Sequence, residues 1–285
     1  MQKNISSFSK AFTMLELVFV ITILGIISSI GAEIVAQTYQ SYLVQRAASR
    51  SSVKTEIAAT AIINRLTYAI PGTIIGRKGD TYRAVEQLDA NDYTILQWVG
   101  ADNDSFTAYR KPSWSGLADL DASDATHVIS PGSDIDNTDE IIQNLQGDGL
   151  SDAALFFQGE YTAYNIGYNG EDNSGVIAVT GGTDETINVS DMTGNTISEL
   201  YKLGWSSYAI VPEENDNGSY DLMLHYNFQP WKGETYNDGN IQLLLKNVSV
   251  FQFTATATTL RIKICQQEQI GDGFITTCKE KAVIK

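Results

Sequence analysis

Lys10-Ala11-Phe12-Thr13-Met14-Leu15-Glu16-Leu17-Val18-Phe19-Val20-Ile21-Thr22-Ile23-Leu24-Gly25-Ile26-Ile27 decides the fold: a single carboxylate, Glu16, interrupts the start of an otherwise apolar run. From Leu17 to Ala32 the only polar side chains are Thr22, Ser28 and Ser29. Their hydroxyls can bond back to their own helix, so the segment can lie in hydrocarbon with its backbone satisfied. Phe12 to Ala32 supplies roughly the 20 residues that a membrane-spanning helix needs. Met1 to Ala11 carries Lys3 and Lys10 and no acidic residue, which by the positive-inside rule keeps this end in the cytoplasm and sends the rest outward. A signal peptide would instead be cut at small residues after the run; Gly31 and Ala32 stand there, so release of a soluble head is the competing reading.

An acidic side chain inside a span costs a few kcal/mol and marks a functional partner. The run Ala11-Phe12-Thr13-Met14-Leu15-Glu16, followed by its apolar stretch, resembles the class III leader junction of type IV pilins and type II secretion pseudopilins. The resemblance implies that a prepilin peptidase cuts between Ala11 and Phe12, that the new amino group of Phe12 is methylated, and that Glu16 serves assembly. The residue before the cut is normally Gly in that family and is Ala11 here. The chemistry suits the spacing: the ammonium created at Phe12 can meet the Glu16 carboxylate of an adjoining subunit when helices bundle. Paired in this way, the charge is far cheaper in apolar surroundings than alone.

The helical signal continues past the span. Between Glu33 and Ile70 there is neither proline nor glycine, and Val53, Ile57 and Ala61, with Ala58, Ile62, Leu66 and Ile70, recur at helical spacing. Arg46, Arg50, Lys54 and Arg65 keep the other side wet. This predicts one helix from Thr13 to about Ala69, on the order of 85 Å at 1.5 Å per residue, stopped by Pro71-Gly72. The expected organisation is a leader over 1–11, a transmembrane helix over 12–32, an amphipathic continuation over 33–70 and a β-rich head over 71–285.

Within the head, Tyr93 to Val99 and Phe106 to Arg110 look like strands around a polar turn, and Asp119 to Asp139 reads as loop, with a short helix over Asp139 to Leu145. Ala153 to Gln158 and Val176 to Val179 bracket a loop at Tyr168 to Asn173. In the last third, Tyr220, Leu222, Leu224, Tyr226 and Phe228 alternate with Asp221, Met223, His225 and Asn227, a half-buried strand. Leu243 to Thr254 and Leu260 to Cys265 follow. An antiparallel sheet packed on the amphipathic part of the long helix is the simplest layered solution, an α+β fold. Leu244 to Phe253 also resembles the late strand of J-type minor pseudopilins and of long minor pilins.

With 34 acidic against 19 basic residues the formal charge is −15, a body that repels nucleic acid and anionic lipid. The two cysteines, Cys265 and Cys278, form an even pair in an exported chain and so read as a disulfide. Many type IV pilins close a C-terminal loop in the same way. Clustered oxygen ligands in loops suit calcium, which takes about 6–8 of them. The candidate sets are Asp102 and Asp104; Asp134, Asp136, Asp139 and Glu140; and Glu213, Glu214, Asp216 and Asp221. None matches a fixed ligand spacing, and no resident cofactor is expected. The only histidines are His127, in a polar loop, and His225, on the exposed face of a strand, with no signature of a nucleophile and its base. Gly76-Arg77-Lys78-Gly79 reads as a basic turn, too short for a phosphate loop.

The sequence therefore leads to a non-enzymatic minor pilin or J-like pseudopilin. Its partners would be the prepilin peptidase, the inner membrane and the helices of other pilins or pseudopilins. Single-pass with its head in the periplasm, it would pass into a filament at the cell surface. A calcium-dependent tip adhesin and a membrane-tethered periplasmic enzyme are the alternatives.

Overall fold

The computed structural model describes residues 13–88, 93–107, 111–216, 218–256, 258–271 and 273–284; the expected cleavage junction at Ala11 and Phe12 lies outside the described residues. Helix α1, Met14–Leu66, is continuous over 53 residues. The apolar run contains nothing to break it, and the Thr22 hydroxyl turns back to the carbonyls of Val18 and Phe19 at 3.0 and 2.9 Å, the self-satisfaction a lipid-facing helix requires. The helix stops three residues short of Ala69 because the sheet captures the backbone. Ala69 bridges Gly100, and the Ile70 N–H donates to the Val99 carbonyl at 2.9 Å.

The head follows as β1 (Ile75–Lys78), β2 (Thr81–Ala84), β3 (Ile95–Gly100), α2 (Asn103–Thr107), β4 (His127–Ile129), α3 (Ile135–Asn144), β5 (Ala154–Phe157), β6 (Ile177–Thr183), β7 (Thr186–Val189), β8 (Tyr201–Gly204), β9 (Ser206–Glu214), β10 (Tyr220–Tyr226), β11 (Asn240–Ala255), β12 (Thr259–Ile270) and β13 (Gly273–Ile284). Two antiparallel sheets result. An eight-stranded one runs β13-β12-β11-β10-β9-β3-β1-β2 and a five-stranded one β4-β7-β6-β5-β8, so the expected α+β architecture with a long N-terminal helix and a sheet head holds.

The last third of α1 lies on the large sheet. Ala58, Ala59, Ile62 and Leu66 pack with Trp98, Leu245, Val248, Ile262 and Ile264 in one buried cluster. The alternation expected on β12 is realised, with Leu260, Ile262 and Ile264 buried and Arg261 and Lys263 exposed. Each of these large side chains contributes about 1.5–3 kcal/mol when fully removed from water, so the helix end is fixed to the sheet by apolar area. A second cluster joins Ile135 and Ile142 of α3 to Leu155, Phe157, Ile177, Ile187 and Leu203 of the small sheet. A third, with Ile70, Val99, Phe156, Tyr168 and Trp231, connects the two.

Several local expectations are corrected. Val53 and Ile57 face away from the sheet, 55% and 64% exposed. The buried stripe instead runs Ser51, Thr55, Ala58, Ala59, Ile62, Leu66, with the Thr55 hydroxyl spent on the Ser51 carbonyl at 2.7 Å. The expected strand at Phe106 begins inside α2, because the Asp102 carboxylate accepts the Ser105 N–H at 3.2 Å and starts a helical turn; residues 108–110 lie outside the described set. The helix expected from Asp139 already starts at Ile135. Gly76-Arg77-Lys78 is strand rather than turn, and the buried Arg77 guanidinium packs against the rings of Tyr82 and Tyr236 at 5.9 and 5.5 Å.

His127 belongs to β4, not to a loop. His225 is buried, because its face of β10 is covered by the 230–239 segment: Nδ1 donates to the Tyr236 carbonyl at 2.7 Å and the ring sits edge-on to the Tyr236 ring.

Candidate functional site

Every residue from Thr13 to Tyr42 is exposed. An apolar helix of this length carries no head over its first half, and it is long and apolar enough to cross a membrane. Its first turn is organised by Thr13 as N-cap, whose Oγ1 accepts the Glu16 N–H at 3.3 Å. This is half of a capping box, with an acidic residue where the helix dipole favours one. The Glu16 carboxylate itself has no ion pair or side-chain hydrogen bond among the described residues.

Beyond the span the helix presents two faces. At 3.6 residues per turn, Val35, Tyr39, Tyr42, Val53 and Ile57 fall within about 60° of arc, diametrically opposite the stripe buried on the sheet, and all five are exposed. A surface helix of a self-contained domain is polar on its far side; here that arc carries these five apolar side chains, interrupted between Tyr42 and Val53 by the exposed Arg46. The sequence reading counted Val53 and Ile57 with the core because both stripes share one helical period. Only the position of the sheet separates them.

Cys265 and Cys278 are directly opposed across β12 and β13 and are joined by a disulfide. It ties the outermost strand of the large sheet to its neighbour.

Three of the expected calcium ligands accept hydrogen bonds within the head. The Asp136 carboxylate accepts the Asp184 N–H at 2.8 Å, and Asp139 accepts the Leu150 N–H at 2.7 Å and the Gln143 amide at 2.8 Å. Asp221 accepts the Asn247 N–H at 3.1 Å. Asp102 is buried with Oδ2 unpartnered, and desolvation pushes its carboxyl up to about 6. No group of three or more His, Cys, Asp and Glu side chains gathers among the described residues.

The two histidines stand in different sheets. His127 is exposed, its Nδ1 2.9 Å from the Asp124 carboxylate, and the Nε2 of His225 lies 4.0 Å from Glu213. Family models, known protein sequences and solved structures yield no match to this chain.

Proposed function

We propose that the protein is a minor pilin or pseudopilin, inserted in the inner membrane with its head outside, cut before Phe12, N-methylated there, and assembled through α1. The observation that carries this reading is the row of exposed apolar side chains on one face of α1, Val35, Tyr39 and Tyr42 and then, past Arg46, Val53 and Ile57, which extends the lipid-facing surface toward the zone beside the head. A simple membrane tether has no use for apolar surface beyond the bilayer. Bundled helices bury it, and exposed apolar patches of this kind mark interaction sites. In such a bundle the carboxylate of Glu16 meets the new ammonium of Phe12 from a neighbouring subunit, so assembly is selected by the relief of a charge buried in apolar surroundings.

Intact mass and N-terminal sequencing of the protein from its native membrane test the reading. A chain beginning at methylated Phe12 is expected. One still beginning at Met1 while the peptidase is active would overturn it in favour of a tethered protein, and one beginning after Ala32 in favour of a secreted head.

A further inference from the structure

The head carries a groove at the far end of α1, about 50 Å along the helix axis beyond Ala32 at 1.5 Å per residue. Its larger part, about 380 Å³, is walled by Phe106, Trp114, Leu117, Phe156, Tyr161 and Leu200. A second hollow of about 290 Å³ adjoins it and reaches the helix end at Thr67 to Ile70. Pro71, Phe106, Trp114 and Lys202 line both, so the two hollows form one elongated trough. Leu117 and Leu200, bridged to each other across the backbone, stand about half exposed at its mouth.

The polar chemistry is sparse and uncommitted. Lys202, exposed on β8, is the only charged side chain among the described lining residues, and it has no ion pair among the described residues. The Gln158 amide and the Tyr161 hydroxyl likewise make no hydrogen bond among the described residues. In a chain of net charge −15, a cation at the rim of this trough selects an occupant that is apolar in body and negative at one end.

We propose that this trough binds an extended segment of another polypeptide, placing a large apolar side chain among Phe106, Leu117 and Leu200 and a carboxylate on Lys202. The elongated shape suits a peptide rather than a single sugar ring, and the exposed Phe106, Leu117 and Leu200 supply its apolar contact area over a floor fixed by the buried Trp114 and Phe156. Gln158 and Tyr161 are left to bond the peptide backbone. The site lies at the end of α1 distant from the apolar span, where a polypeptide outside the cell can reach it, and it does not depend on whether α1 assembles.

The test is calorimetric titration of the full chain in lipid nanodiscs with acetyl-Ala-Phe bearing a free carboxylate, and with its amide. The acid is expected to bind at least about tenfold more tightly than the amide, the cost of losing a charge-assisted contact. Lys202→Glu is expected to erase that preference and Lys202→Arg to keep it, neither changing the unfolding midpoint because the side chain is exposed. Equal binding of acid and amide, no binding of either, or binding of cellobiose that is indifferent to Lys202 would each overturn the proposal. So would self-association of the chain that Lys202→Glu abolishes.

Discussion

The two ends of α1 share one uninterrupted backbone and opposite surroundings. From Thr13 to Tyr42 no residue is covered, whereas from Ser51 to Leu66 one stripe is sealed against the large sheet. The distal end is therefore held by the chain's own apolar burial. Among the described residues the proximal end has nothing to bury against, and its stability must come from lipid or from other helices. A helix of this kind divides labour along its length, and each half can be broken without the other.

Breaking the proximal end gives the largest effect. Glu16→Ala is expected to leave membrane insertion and head stability unchanged while cutting incorporation into filaments by at least about tenfold, because an unpaired ammonium in apolar surroundings forfeits several kcal/mol. Filament fractions from cells carrying the mutant measure this, and normal incorporation would sink the charge-pairing mechanism.

At the distal end, Ile62→Ala is expected to cost the head about 2–5 kcal/mol, since Ile62 is almost wholly buried in the helix–sheet cluster. Ile57→Ala, one turn earlier on the exposed face, is expected to change stability by no more than about 0.5 kcal/mol. Denaturant unfolding followed by the fluorescence of Trp98, Trp114, Trp205 and Trp231, all in the head, separates the two. Similar losses for both would mean that the two faces are not distinct. Reduction of the Cys265–Cys278 disulfide sharpens the same boundary. It is expected to cost about 3 kcal/mol in the chain-entropy view and to show first as opening of β13, the strand beneath α1, in hydrogen exchange.

How far the sequence foretold this arrangement follows from the range of each interaction. The span, the long helix and the cross-strand cysteine pair rest on local periodicity or simple pairing and were legible. Strand β13 was not, because its helix-facing positions include Lys279 and Lys281, which read as solvated. They are tolerated there because Glu56 of α1 meets both and their stems lie along the sheet. His225 was misplaced for a similar reason, since a strand's outer face stays polar in sequence even when a distant loop covers it. The second stripe of α1 was in plain view but indistinguishable from the first, because both have the same period. The trough at the helix end draws on the segment that follows α1, on α2, β5 and β8 and on the turns between them and has no signature in any one stretch.

Two carboxylates test the distal end by pH with opposite signs. Asp102, beside the helix terminus, has its folded pKa raised from 3.8 to about 6, chiefly by burial. Its contribution is therefore fully present below the unfolded value and is lost as pH rises through about 6. Asp102→Asn is expected to stabilise the head at pH 7 by up to about 3 kcal/mol, the equivalent of that shift, and to flatten the gain that the wild type shows between pH 7 and pH 5. Denaturant midpoints at the two pH values decide it, and a destabilised variant at pH 7 would show that the charge is compensated in a way the buried, unpartnered Oδ2 does not indicate.

Glu56 carries the smallest effect and the most diagnostic one. Its carboxylate lies 2.5 Å from Lys281 Nζ and 3.7 Å from Lys279 Nζ, tying α1 to β13. The Lys281 hydrogen bond is the main cause that holds its pKa below the ordinary 4.5. A depressed carboxylate contributes stability above its unfolded value and loses it as pH falls through the folded one, the reverse of Asp102. Because the pair is open to solvent, salt screens it. Glu56→Gln should shift the unfolding midpoint only slightly at low ionic strength and near neutral pH, and not at all in high salt or in acid. If that shift instead rivalled the loss from Ile62→Ala and survived high salt, α1 would be docked by charge rather than by apolar area. The contrast between its covered and uncovered ends would then have to be explained by where the charges fall, not by where the sheet lies.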